Sequence, residues 1–89
     1  MCSFTQNTFW EAYRRLPEHV QRQARESYRL FASNPNHPSL DFKRVSRRRP
    51  VYPGQVSIDY RAVGVMDQGD IVWFWIGSHD EYEWLLKRV

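Results

Sequence analysis

The sequence predicts an α+β fold: an N-terminal helical hairpin packed on a twisted, mainly antiparallel sheet of three to four strands, followed by a short C-terminal helix. Three observations carry this expectation. Apolar or small residues recur at helical spacing early in the chain, at Phe9, Ala12, Tyr13 and Leu16 and again at Val20, Ala24, Ser27, Tyr28 and Phe31. Later the period changes to two, with Val56, Ile58 and Tyr60 alternating with Gln55, Ser57 and Asp59. Finally, Ile71 to Ile76 is an unbroken apolar run, half β-branched and half aromatic, between Gly69-Asp70 and Gly77-Ser78. Such a run reads as a central strand buried on both faces.

Each element follows from local chemistry. Cys2 to Thr5 suits a short edge strand. Thr8 is placed to cap the first helix, with Glu11 three residues on completing a capping box. Pro17 fits the first position of a second helix, where its missing N–H costs nothing. The outer face of that helix carries Gln21, Arg22, Arg25, Glu26 and Arg29. Asn34-Pro35-Asn36-His37-Pro38 ends it, because each proline drives the preceding residue out of the α region. Leu40, Phe42 and Val45 then suggest a first sheet strand running into Arg47-Arg48-Arg49. Pro50 and Pro53 interrupt pairing, Gly54 releases the chain into the half-buried strand, and Arg61 to Met66 continues or restarts it. Asp67-Gln68-Gly69-Asp70 is a hairpin turn into the central strand. Beyond Gly77 the chain switches to Ser-His-Asp-Glu-Tyr, then to Trp84, Leu85 and Leu86 at helical spacing. Polar groups thus gather at a strand's C-terminal end, a common place for function.

Eighty-nine residues suit a single domain spanning 1–89, which buries about 60–65% of its unfolded surface. Four Trp, five Tyr and five Phe enlarge the core such a chain can build. One cysteine, Cys2, has no internal partner, and no stretch approaches a membrane span. A cytoplasmic protein is expected, away from membranes. His19, His37 and His79 lack metal-ligand spacing, so neither a metal site nor a cofactor is expected. Charge is unevenly placed: residues 1–49 hold ten Lys/Arg against four Asp/Glu, and residues 50–89 hold three against six. Eleven of the thirteen cations are arginine, which favours planar contacts to phosphate or carboxylate and points to RNA, DNA or an acidic protein segment.

The order of motifs resembles the RelE/ParE superfamily of toxins from bacterial toxin–antitoxin modules. The matching words are Leu16-Pro17 before a long helix, Asn34-Pro35 with His37-Pro38-Ser39-Leu40, Phe42-Lys43, the Tyr60-Arg61 pair, and Trp75-Ile76-Gly77-Ser78-His79-Asp80-Glu81-Tyr82. The resemblance covers nearly the whole chain and implies the fold given above, neutralised by a cognate antitoxin protein that wraps its surface. It implies one of two activities: RelE-like cleavage of messenger RNA at the ribosome, or ParE-like poisoning of DNA gyrase without catalysis.

RNA cleavage without a metal needs a group titrating near neutrality and cations around the phosphate. Arg61 matches the arginine that RNA-cleaving relatives carry after an aromatic residue, where it would hold the scissile phosphate. His79 matches a histidine placed after the Gly-Ser of the last strand and suits a general acid or base. Tyr82, one turn on, would stack on or hydrogen-bond a nucleotide. Lys43, Arg44, Arg47, Arg48 and Arg49 are candidate RNA- or antitoxin-binding residues. The stretch Tyr52 to Ser57 lacks the lysines that RelE enzymes carry there, and Asp80 and Glu81 put negative charge beside His79, unless one of them orients the imidazole. The residues also admit plainer roles. His79 fits a helix cap, Arg61 a sheet arginine paired with Asp59 or Asp67, and the arginine run a solvated loop. Trp73, Phe74 and Trp75 read as core, Trp10 as an exposed contact, and His19 and His37 as structural. The expected function is a metal-independent, ribosome-dependent messenger-RNA endoribonuclease. The alternatives are a gyrase poison and a non-toxic binding protein of the same fold.

Overall fold

A computed structural model describes residues 1–88. The elements are β1 (Ser3–Thr5), α1 (Asn7–Arg14), α2 (Glu18–Ser33), β2 (Val51–Ser57), β3 (Tyr60–Asp67), β4 (Asp70–Ser78) and α3 (His79–Leu86). The sheet order is β1-β4-β3-β2, with β4 in the centre as its apolar run requires. β1 runs parallel to β4, and the other two pairings are antiparallel. The hairpin between β3 and β4 turns at Gln68 and Gly69, both at positive φ (52° and 85°). Glycine adopts that geometry without steric cost, and it matches the twist of the flanking strands.

The helical hairpin covers one sheet face and α3 the other. On the first face Phe31, Leu40, Ile71 and Trp73 are buried together, with Phe9, Phe42 and Met66 packed around them. Phe31 meets Trp73 and Phe42 edge-on, at centroid distances of 5.4 and 4.9 Å. On the second face Val51, Val63 and Tyr82 form the centre, against Phe74, Trp75 and Leu85. One strand serves both cores because its side chains alternate between faces, and a register slip sets which residues go where: Val63 pairs Trp75 and Gly64 pairs Trp73, leaving Phe74 as an extra residue. This bulge reverses the alternation, so Trp73 and Ile76 face the helices while Trp75 and Gly77 face α3.

Six local expectations are corrected. The helix α1 begins at Asn7 without a side-chain cap, because the Thr8 hydroxyl donates instead to the Phe74 carbonyl at 2.7 Å. Pro17 is the N-cap of α2, one residue outside the helix rather than its first residue. Residues 40–45 are not a strand: Pro38–Leu40 form one 3₁₀ turn, and Asp41 then takes a left-handed conformation (φ 45°). Leu40 and Phe42 enter the core from this loop, so their alternation reflects two anchors. The strand after Pro50 starts at Val51 and passes through Pro53, which an edge strand tolerates. Ile58 lies in the β2–β3 turn and is 79% exposed. Tyr28, expected on the buried face of α2, is 47% exposed. His37 is structural, its Nδ1 accepting from the Ser39 N–H at the head of the 3₁₀ turn.

Among the described residues no helix is long and apolar enough to cross a membrane.

Candidate functional site

The polar corner beyond Gly77 is built by the start of α3. Ser78 is the N-cap: its hydroxyl accepts from the Glu81 N–H at 3.2 Å, and the Glu81 carboxylate accepts from the Ser78 N–H at 3.2 Å. This reciprocal capping box satisfies two otherwise orphaned donors. His79 is therefore the first helical residue rather than the cap. Its backbone N–H donates to the Asp59 carbonyl at 2.7 Å, tying the helix start to the β2–β3 turn.

Arg61 stands beside this start, since its pairing partner on β4 is Gly77. Paired residues project to the same face, so Arg61 lies on the α3 side with Val63 and Trp75. Its Nη1 donates to the Ser57 and Tyr60 carbonyls at 2.7 and 3.2 Å. Among the described residues it has no carboxylate partner at ion-pair distance, so the pairing with Asp59 or Asp67 does not occur. The guanidinium closes the β2–β3 turn and keeps donors to spare.

Tyr82 completes the cluster. Its ring meets the His79 imidazole at 5.9 Å between centroids, inclined at 62°. It is 7% exposed and packed with Val51 and Val63, so the expected stacking on a nucleotide has no open ring face. Burial raises its phenol above the usual value of 10.0, and the Glu83 and Asp41 carboxylates push the same way while Arg61 opposes them. The phenol is held neutral, able to donate a hydrogen bond.

Of the carboxylates beside His79, Glu81 serves the capping box and Asp80 is exposed. The group that meets the imidazole is Glu83, with Oε1 3.6 Å from His79 Nε2. Sequence reading missed it, although the i,i+4 spacing on a helix was there to be read. Arg61, His79 and Tyr82 thus come together with Glu83 in one corner. Asp41 is near enough to act on Tyr82, and it holds Lys43 at 3.6 Å.

The arginine run does not join them. It precedes Val51, which pairs with Val65, itself paired with Val72. Arg61 is four residues further along β3, about 13 Å at roughly 3.3 Å per residue, toward the other end of the sheet. Arg44 is folded into its own loop, donating to the Ser46 and Arg47 carbonyls at 2.8 and 3.3 Å.

A second feature was illegible in the sequence. Between the helical hairpin and the sheet lies an apolar cavity of about 770 Å³, with Phe4, Phe9, Trp10 and Tyr28 in its wall and Arg25 and Arg29 beside it. Trp10 is 40% exposed at its edge, as its place off the apolar stripe suggested, and its indole N–H donates to Thr5 Oγ1 at 2.9 Å. Among the described residues no three His, Cys, Asp or Glu side chains lie close enough to hold a metal ion.

Comparison with known proteins agrees with this architecture. Residues 18–84 match the family model of the ParE-like toxin domain. A chain of the RelB–RelE antitoxin–toxin complex from Methanococcus jannaschii superposes with a TM-score of 0.72 at 13% identity, over 91% of this chain and 96% of that one. YafQ from E. coli superposes with a TM-score of 0.70 at 9% identity, over 90% and 94% of the two chains. A YoeB/ParE toxin from Agrobacterium tumefaciens gives 0.67 at 12% identity, over 89% and 99%. No functionally curated protein matches in sequence.

Proposed function

The chain belongs to the ParE-like toxin domain family, and from that premise we propose that it is the toxin of a toxin–antitoxin module and cleaves messenger RNA at the ribosome, in the cytoplasm, without a metal ion. The observation that carries this reading is the convergence of Arg61, His79 and Tyr82 at the C-terminal end of the central strand. Cleavage requires removal of the 2′-hydroxyl proton, stabilisation of the pentavalent phosphate and protonation of the 5′-oxygen. Arg61 provides a permanent cation with free donors for the phosphate. His79, its side chain 42% exposed and therefore accessible, exchanges the protons. The neutral Tyr82 phenol supplies a hydrogen bond from below, and the corner needs no lysine from β2.

The partner is a cognate antitoxin, whose amphipathic, acidic segment covers the apolar cavity and the nearby Arg25 and Arg29. The decisive experiment is expression of the toxin with metabolic pulse-labelling. Early loss of methionine incorporation with cut messages is expected, and Arg61→Ala and His79→Ala should each restore growth while keeping the circular dichroism spectrum of the wild type. Undiminished toxicity in both variants would refute the roles.

A second reading is favoured by one observation: β2 carries no lysine, unlike the RelE enzymes that this chain resembles. On that reading the chain is a non-catalytic poison of DNA gyrase. Inhibited supercoiling and an induced DNA-damage response, with protein synthesis intact at early times, would select it.

A further inference from the structure

The loop before β2 holds Arg47, Arg48 and Arg49 in a row, all exposed. It is not a slack connection. Arg44 spends its guanidinium on the Ser46 and Arg47 carbonyls, Ser46 Oγ accepts from the Arg49 N–H at 3.3 Å, and backbone bonds join Val45 and Arg49 to Val51. Among the described residues no carboxylate lies at ion-pair distance from any of the three arginines. Asp67 and Asp70 sit on the hairpin at this end of the sheet, but Asp70 accepts from the Cys2 N–H instead. Three like charges held side by side without compensation repel one another, and a bound polyanion would relieve that repulsion.

We propose that the Arg47–Arg49 loop is an RNA-backbone anchor distinct from the Arg61–His79–Tyr82 corner, gripping phosphates at the end of β2 whose strand partner Val65 lies about 13 Å along β3 from Arg61. The inference rests on the ribonuclease reading above for the nature of its ligand. RNA is favoured over a protein partner by what surrounds the loop. A protein-binding anchor needs a desolvated apolar centre, and among the described residues the one large exposed apolar side chain in this loop is Val45, at 38%. Phosphate binding needs no such centre, because released counterions supply the driving force.

The test is binding of fluorescein-labelled polyuridine to the full chain by anisotropy across a salt titration. The variant Arg47→Gln/Arg48→Gln/Arg49→Gln should bind at least tenfold more weakly at low salt. Its log K against log [salt] slope should be shallower by about 2, as expected for three lost phosphate contacts on a single strand. Arg14→Gln/Arg15→Gln/Arg22→Gln removes the same charge from the helical hairpin and should leave most of that slope. A loop variant with the wild-type slope and an unchanged melting curve would overturn the proposal. So would displacement of polyuridine by polyglutamate at equal charge concentration, which would mark the loop as a site for acidic protein. A chain that cuts translated messages while the loop variant binds normally defeats this inference alone. A chain that cuts nothing yet loses binding through the loop defeats the cleavage reading alone.

Discussion

Gly77 offers a demanding test of how the corner is supported. It pairs with Arg61, and the Trp75 indole folds back over the space where a side chain would stand. A Cβ at position 77 would lie 2.7 Å from Trp75 Cη2 and 3.2 Å from Glu81 Oε1. The first separation is impossible, so the indole must leave its place in the α3-side core. The second crowds the carboxylate that accepts from the Ser78 N–H and hydroxyl at 3.2 and 3.0 Å. Overpacking of this kind costs about 1–3 kcal/mol, and a damaged N-cap adds roughly 0.5–2 kcal/mol. Gly77→Ala should therefore destabilise the protein by about 2–4 kcal/mol, lowering Tm on the order of 10–20 °C for a domain of this size. Urea unfolding followed by tryptophan fluorescence reads the loss. In a Trp75→Leu background the clash is absent, and the same substitution should cost at least 1 kcal/mol less, an interaction energy within the range known for touching residues. A cost below about 0.5 kcal/mol in the wild type, or equal costs in both backgrounds, would refute the packing argument.

Two further perturbations follow from the cores and the buried phenol. Phe31→Ala removes the ring on which Tyr28, Phe42 and Trp73 converge. It should cost about 3–5 kcal/mol in denaturant melts, and a loss under 1 kcal/mol would mean that the helical hairpin contributes little to this core. Tyr82, with its folded pKa above the unfolded 10.0, keeps its proton where the unfolded chain releases it. The stability it contributes is complete below pH 10.0 and is lost as pH rises through the folded pKa. Tyr82→Phe should therefore lose less stability than the wild type over that alkaline interval. Tyrosinate absorbance in the wild type should show a phenol ionising above 10.0 that is missing in Tyr82→Phe, and identical high-pH titrations of the two proteins would contradict it.

Where local chemistry and tertiary packing agree, the fold could be read from the residues. The apolar run at 71–76 became the central strand, Gln68-Gly69 the turn before it, and Leu16-Pro17 the break between two helices. The misreadings come from signals with two solutions. Thr8 with Glu11 and Ser78 with Glu81 both spell a capping box, yet only the second forms, since the Phe74 carbonyl captures the Thr8 hydroxyl from across 66 residues. Leu40 and Phe42 alternate like a strand because a loop needs two anchors in the same core. The bulge at Phe74 leaves no mark in a run apolar at every position, and it decides which residues share a face with Arg61. Of the candidate site, the Arg61–His79–Tyr82 neighbourhood was legible from motif order. Glu83 was overlooked beside two nearer carboxylates, and the distance of the arginine run from the corner depends on strand register, which composition does not encode.

The pairing of β1 with β4 also governs when this molecule can exist. Ser3 lies opposite Ile71, and the Ser3 hydroxyl accepts from the Trp73 indole across 70 residues of chain. At about 5–20 residues per second, synthesis separates those two strands by roughly 3–14 s. Throughout that interval the helical hairpin has no sheet to cover, and its aromatic stripe remains open to solvent or to another protein. The corner that carries His79 is made later still. A nascent chain therefore has no assembled sheet until its central strand is complete, and a binding partner that meets the hairpin first has seconds in which to act.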